Sequence, residues 1–161
     1  MKLVSAICAT ALALAGAVPA SAQSFSPASG TFVFQGGVVV NKSLTLNCTL
    51  KLTVNVTSST TATVTPSLET PSNPLCPVVT FSGAPYTVTT TSLSVTAHGI
   101  VVNTITPGDC FGSISGIWSG NNARPRSISL GDSMPSGGSN LCSISGFVSQ
   151  VSGPTLSINV P

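Results

Sequence analysis

Charge is the scarcest property of this chain. Of its 161 residues, 5% are Asp, Glu, Lys or Arg, against roughly 25% in ordinary soluble domains. Beyond Lys2 the charged residues are Lys42, Lys51, Arg124, Arg126, Glu69, Asp109 and Asp132. They form no basic stripe, which argues against a nucleic-acid partner. The three acids are scattered over separate Gly- or Pro-containing stretches. They are too few for a calcium cage built from side chains, and nothing groups them as the carboxylate pair of a glycosidase. Histidine, tryptophan and tyrosine each occur once, as His98, Trp118 and Tyr86. His98 with Asp109 or Asp132 makes no specific case for a triad, because serine is everywhere. Helical periodicity is missing too, outside the N-terminal run. The expectation is a protein without a catalytic, metal or cofactor centre, and not an enzyme.

Long apolar runs are also absent, with one exception. Lys2 is followed by "LVSAICATALALAGAV", then Pro19 and the small-x-small triplet Ala20-Ser21-Ala22. That is the form of a secretory signal peptide over residues 1–22, cut after Ala22. The run is too short and Ala-rich for a membrane anchor. Cys8 lies inside it and is discarded with it, so residues 23–161 form one domain with no transmembrane segment. The expected location is secreted, extracellular or on the cell surface.

Four cysteines then remain: Cys48, Cys76, Cys110 and Cys142. An even number in an exported chain reads as two disulfides. Three pairings are open. Cys48–Cys76 and Cys110–Cys142 are favoured because each closes a local loop, worth roughly 3–4 kcal/mol on the chain-entropy model. The spacings are too wide for zinc knuckles.

What is abundant is alternation with period two. In "LTLNCTLKLTVNVT", Leu44, Leu46, Cys48, Leu50, Leu52, Val54 and Val56 share one face, and Thr, Asn and Lys51 fill the other. This is a half-buried antiparallel strand. "ATVTPSL" returns after "SSTT", and Pro66 marks it as an edge. In "GTFVFQGGVVV", Gly36-Gly37 predicts two strands or one bulged strand. About nine or ten short strands with regular turns predict an all-β fold, a single antiparallel β-sandwich or Greek-key barrel with two disulfides.

"CFGSISGIW", Cys110 to Trp118, superficially matches the nucleophile elbow G-x-S-x-G. Its centre is Ile114, not serine, and no helix follows, so the match fails. Cys110, Gly112, Ile114, Gly116 and Trp118 instead fall on one strand face, and Cys142, Ile144, Gly146 and Val148 repeat the pattern. Ser113 and Ser115 are expected outside. The glycines leave room for a close neighbour, Trp118 or a facing disulfide. "ARPR", Ala123 to Arg126, reads as a solvated hairpin tip, with anion docking the alternative. Asn41, Asn47 and Asn55 begin N-x-S/T triplets, which a chain so rich in Ser and Thr produces by chance.

Taken together, "LTLNCT", "PLCP", "SGAPYTVT", "CFGSISGIW", "CSISG" and "PTLSI" resemble the small exported bacterial proteins called activators of alkane oxidation, of the Pra type. The likeness runs from about Phe25 to Val160, and Tyr86 replaces the tryptophan expected after proline. The resemblance implies a non-enzymatic exported protein tied to hydrocarbon use and to surface or biofilm-matrix behaviour. Three readings follow. One is a matrix protein that adsorbs at hydrophobic interfaces or self-associates through sheet edges and apolar patches. A second is a pilin- or adhesin-like subunit in which Ser24 to Gln35 is a donated strand anchored by Phe25, Phe32 and Phe34. A third is a carbohydrate- or lipid-binding β-sandwich with Trp118 and Tyr86 as stacking platforms, although Trp118 fits a core position better.

Overall fold

A computed structural model of the chain describes residues 23–70 and 73–159. The expected signal peptide, residues 1–22, lies outside the described residues. The alternating segments form eleven strands, β1 (Ser24–Ser26), β2 (Gly30–Lys42), β3 (Leu44–Ser58), β4 (Thr61–Glu69), β5 (Thr80–Ser82), β6 (Tyr86–Thr90), β7 (Ser94–Asn103), β8 (Cys110–Trp118), β9 (Ser127–Met134), β10 (Cys142–Ser152) and β11 (Ser157–Asn159). Among the described residues these are all the strands, and one 3-10 turn, Cys76–Val78, precedes β5.

All strand pairs are antiparallel. The sheet runs β7-β6-β4-β3-β2-β10-β9-β8, and β8 pairs with β7 to close it into an eight-stranded barrel. β5 adds to the end of β7. Around the barrel each strand neighbours the next in sequence, apart from the β5 excursion and the closing pair of β2 with β10. The topology is therefore up-and-down, which corrects both the sandwich and the Greek-key expectations. The cause is local. Short turns such as Ser43, with its positive φ of 59°, fold each strand back on its predecessor, so no long crossover is needed.

The segment around Gly36-Gly37 is one uninterrupted strand. β2 stays in register with β3 from Gly30↔Val56 to Lys42↔Leu44. The glycine has a packing reason, since a Cβ on Gly36 would press on the Phe147 carbonyl and lie 2.9 Å from the Val148 Cα. The gap it leaves lets β2 and β10 approach at a corner of the barrel. β4 is not the edge strand that Pro66 suggested, since it lies between β3 and β6, but the proline is tolerated locally. β4 pairs with β6 only over Ala62–Val64, so the side of Pro66 that lacks an N–H faces no partner strand.

Inward positions carry the apolar residues of every barrel strand, and they form one core that includes Phe32, Phe34, Leu50, Val56, Ile128 and Val148. Outward positions are mostly Thr, Ser, Asn and Gly. A membrane-spanning barrel has the reverse pattern, apolar outside and polar within. Among the described residues no helix is long and apolar enough to cross a membrane.

The barrel has two different ends. At one, the ribbon of β1 and β11 lies across the opening and buries Phe25, Leu156 and Ile158. At the other, Cys48 is bonded to Cys76 and Cys110 to Cys142. The first bond pins the β4–β6 connection to β3. The second joins β8 to β10 past the end of β9.

Candidate functional site

The barrel interior is not completely filled. It holds a cavity of about 160 Å³ lined by, among others, Leu52, Ala97, Ile114, Ile144, Trp118 and Tyr86. Alternation points Leu52, Val95, Ala97, Ile114 and Ile144 inward, yet they are only partly buried. A solid core would bury these positions completely. Eight strands give an interior just wide enough either to be filled by side chains or to hold one small ligand.

One end of the cavity is sealed. Trp118 stands edge-on to Phe34, ring centres 6.1 Å apart at 64°, a geometry that suits the aromatic quadrupoles. Its indole Nε1 donates to Asn121 Oδ1 at 3.3 Å, and Asn121 Nδ2 donates to the Ile158 carbonyl at 2.8 Å. Behind this lies Arg126, only 3% exposed. Its Nε donates to the Leu156 carbonyl at 2.9 Å, Nη1 to the carbonyls of Ala123 at 2.7 Å and Gly120 at 3.3 Å, and Nη2 to Ser157 Oγ at 3.2 Å. "ARPR" is thus not a solvated tip around Arg126. That side chain is a buried clamp between the β8–β9 loop and β11, while Arg124 Nη1 donates to the carbonyls of Asn121 and Ala123. Burial lowers the Arg126 pKa from its ordinary value, with the Arg124 charge contributing less.

At the other end the lining reaches the surface at Leu44 and Ile105, which are 42% and 40% exposed. Lys42 sits beside this mouth, 7% exposed and on the cavity lining. Its Nζ donates to Thr104 Oγ1 at 3.0 Å and to the carbonyls of Pro107 at 2.8 Å and Thr106 at 3.3 Å. All three acceptors are neutral. Among the described residues the one ion pair is Lys51–Glu69, on the outer wall.

The remaining sequence-selected residues fall elsewhere. Ser113 and Ser115 are exposed on the outer wall. His98 lies between Thr89 Oγ1 at 2.6 Å and Ser113 Oγ at 3.2 Å, a hydroxyl ladder with no carboxylate in it. Asp132 instead accepts the backbone N–H of Ser115 at 2.8 Å. The space left by Gly116 is taken by Ile128 and Leu130, and that beside Gly112 by Met134, rather than by Trp118 or a disulfide. Tyr86 is buried, and its hydroxyl meets the carbonyls of Ser82 at 2.6 Å and Val101 at 3.1 Å. Neither Trp118 nor Tyr86 offers a face to the outer surface. Phe25, Phe32 and Phe34 are all buried in their own core, and β2 is bonded to a strand on each side. Among the described residues no group of three His, Cys, Asp or Glu could hold a metal ion.

Sequence reasoning missed the cavity, its Lys42 mouth and the Arg126 clamp. The signal for the first was the small Ala97 among inward Leu, Val and Ile, but filling cannot be judged without the strand register.

Fold and interior define a class: a small, disulfide-bonded, up-and-down β-barrel with an apolar interior and a charge-poor wall. The particular family is given by comparison. A family model described as alkane oxidation protein activator PraA/PraB-like matches residues 1–160, and the chain belongs to that family. The description is of an activator rather than an enzyme, and it ties the chain to the activation of alkane oxidation. No curated protein and no solved structure matches the chain. The two disulfides point to an oxidising compartment, extracellular or periplasmic.

Proposed function

We propose that the protein is exported and acts without catalysis at hydrophobic interfaces during hydrocarbon use, by adsorbing or self-associating through its outer wall. The observation that carries this reading is the wall formed by β8, β9 and β10. Ile117, Ser129 and Phe147 lie in one row across those three strands. Ile117 is 65% exposed and Phe147 and Val151 are each 59% exposed. Their outward neighbours on these strands are Ser and Gly, apart from Phe111, and include no charged side chain. Such a surface has little hydration to lose and no charge repulsion against another apolar surface or another copy.

Strand donation has less support, since Ser24 to Gln35 already occupies its own barrel. Glycan stacking has less as well, with Trp118 and Tyr86 buried.

Pendant-drop tensiometry at a hexadecane–water boundary tests the proposal. The mature chain is expected to lower the tension. Transfer of each side chain contributes about 1–2 kcal/mol at these exposures, so an Ile117→Ser/Phe147→Ser variant that keeps its circular dichroism should adsorb far more weakly. Unchanged tension with the native chain, or equal adsorption by the variant, refutes it.

A further inference from the structure

We propose that the barrel interior is a binding site for one saturated linear alkyl chain, a hydrocarbon or the carboxylate derived from one. The chain enters between Leu44 and Ile105 with its tail toward Trp118. This is a different site from the outer wall and does not depend on adsorption there.

Four observations converge. The cavity, about 160 Å³, is close to the size of an apolar cavity of ~150 Å³ that stays dry and takes up benzene. Its inward walls at Leu52, Val95, Ala97, Ile114 and Ile144 are apolar and incompletely buried. A space of this size lined by flexible aliphatic side chains suits an unbranched chain. It has no hydrogen-bonding group deep inside to select a polar one: the Trp118 and Tyr86 donors are both engaged by protein acceptors. Second, the space is closed at one end by the β1–β11 ribbon and open at the other, so a chain enters in one direction. Third, Leu44 and Ile105 carry the apolar lining out to the surface. Fourth, among the described residues Lys42 at the mouth bonds to three neutral oxygens and to no carboxylate. Its three donors are engaged, so an anionic head placed there would meet an unneutralised positive charge and would take over one of those bonds.

By the benzene comparison, the cavity accommodates about six carbons. Each methylene moved from water into it tightens binding about fourfold. Affinity across butanoate, hexanoate, octanoate and dodecanoate should therefore climb steeply to about six carbons and then flatten.

The experiment is titration of the isotope-labelled mature protein, followed by methyl and aromatic NMR, with that carboxylate series and with n-hexane. Shifts are expected at Leu52, Ile114 and Ile144, while exposed Phe147 and Val151 stay still. Ala97→Phe, which places a ring in the cavity, should weaken hexanoate at least tenfold. Ile114→Phe is the second filling variant if the first does not fold. Ile117→Ser/Phe147→Ser should bind as the native chain does. Binding of hexanoate and hexane alike supports a site for the chain itself. Hexanoate alone assigns the carboxylate, with Lys42→Met then abolishing the preference, and hexane alone assigns the neutral hydrocarbon. No interior shifts with either probe, full binding by both filled variants, or affinity rising without a break to twelve carbons would overturn the proposal.

Discussion

Replacing Arg126 by methionine keeps most of the side-chain volume and removes the guanidinium. In the native chain that group reaches four acceptors, and the two shortest contacts are to Ala123 at 2.7 Å and Leu156 at 2.9 Å. A hydrogen bond from a charged donor is worth roughly 1.5 kcal/mol or more net, so these two alone contribute about 3 kcal/mol. The longer contacts to Gly120 and Ser157 add less. The relief of not burying a charge offsets part of the loss. The expected cost of Arg126→Met is therefore about 3 kcal/mol, or a fall of roughly 1–2 M in the urea midpoint. The loss should also be local. Arg126 ties β11 to the β8–β9 loop, so hydrogen exchange should quicken first at Phe25, whose amide bonds to the Ser59 carbonyl, and at Ile158, whose amide bonds to Asn121 Oδ1. About two decades of protection correspond to 3 kcal/mol. Arg126→Lys keeps the charge but not the fork, and should fall between. A cost below about 0.5 kcal/mol, the range of an ordinary surface substitution, would refute the clamp. So would a loss of protection spread evenly over the barrel.

Two further outcomes follow from the fold. Replacing both Cys110 and Cys142 by alanine opens a loop with a separation of 32 residues. On the chain-entropy model this costs about 3.7 kcal/mol at 25 °C, read as a lower urea midpoint, and a midpoint unchanged from the native chain would contradict it. Deleting Ser24 to Gln35 removes Phe25, Phe32 and Phe34, all buried, at roughly 1.5–3 kcal/mol each. It also unpairs half of β2 from both neighbours. That sum approaches a whole domain's stability, about 5–15 kcal/mol. The truncated chain should lack a cooperative transition in denaturant, and a stably folded remnant would favour the strand-donation reading instead.

Strand positions were legible wherever alternation was long and uninterrupted, as in β3 and β8. Parity alone put Ser113 and Ser115 outside. Gly36-Gly37 misled because a glycine pair in a strand pattern signals a break as readily as a close approach. Which one applies depends on β10, more than a hundred residues away. Arg126 misled for a similar reason. Its neighbours Asn122, Pro125 and Gly120 all describe an exposed loop, and only the return of β11 across the barrel end buries it. The short β5, Thr80–Ser82, was legible as a strand candidate but not as an appendage to β7.

Some of this protein follows from its residues in order. Alternating apolar and β-branched residues commit the chain to antiparallel strands, because period two is the only spacing that puts every Leu and Val of β3 on one face. Scarcity of charge commits the outside to Thr, Ser and Asn. What order along the chain cannot decide is closure. Whether the sheet ends in two edges or joins β2 to β10 depends on strand tilt and stagger, which are properties of the whole ring. Closure, in turn, turns the inward faces of eight strands on one another. That is why the cavity, its sealed and open ends, and the place of Lys42 at its mouth exist only in the tertiary structure.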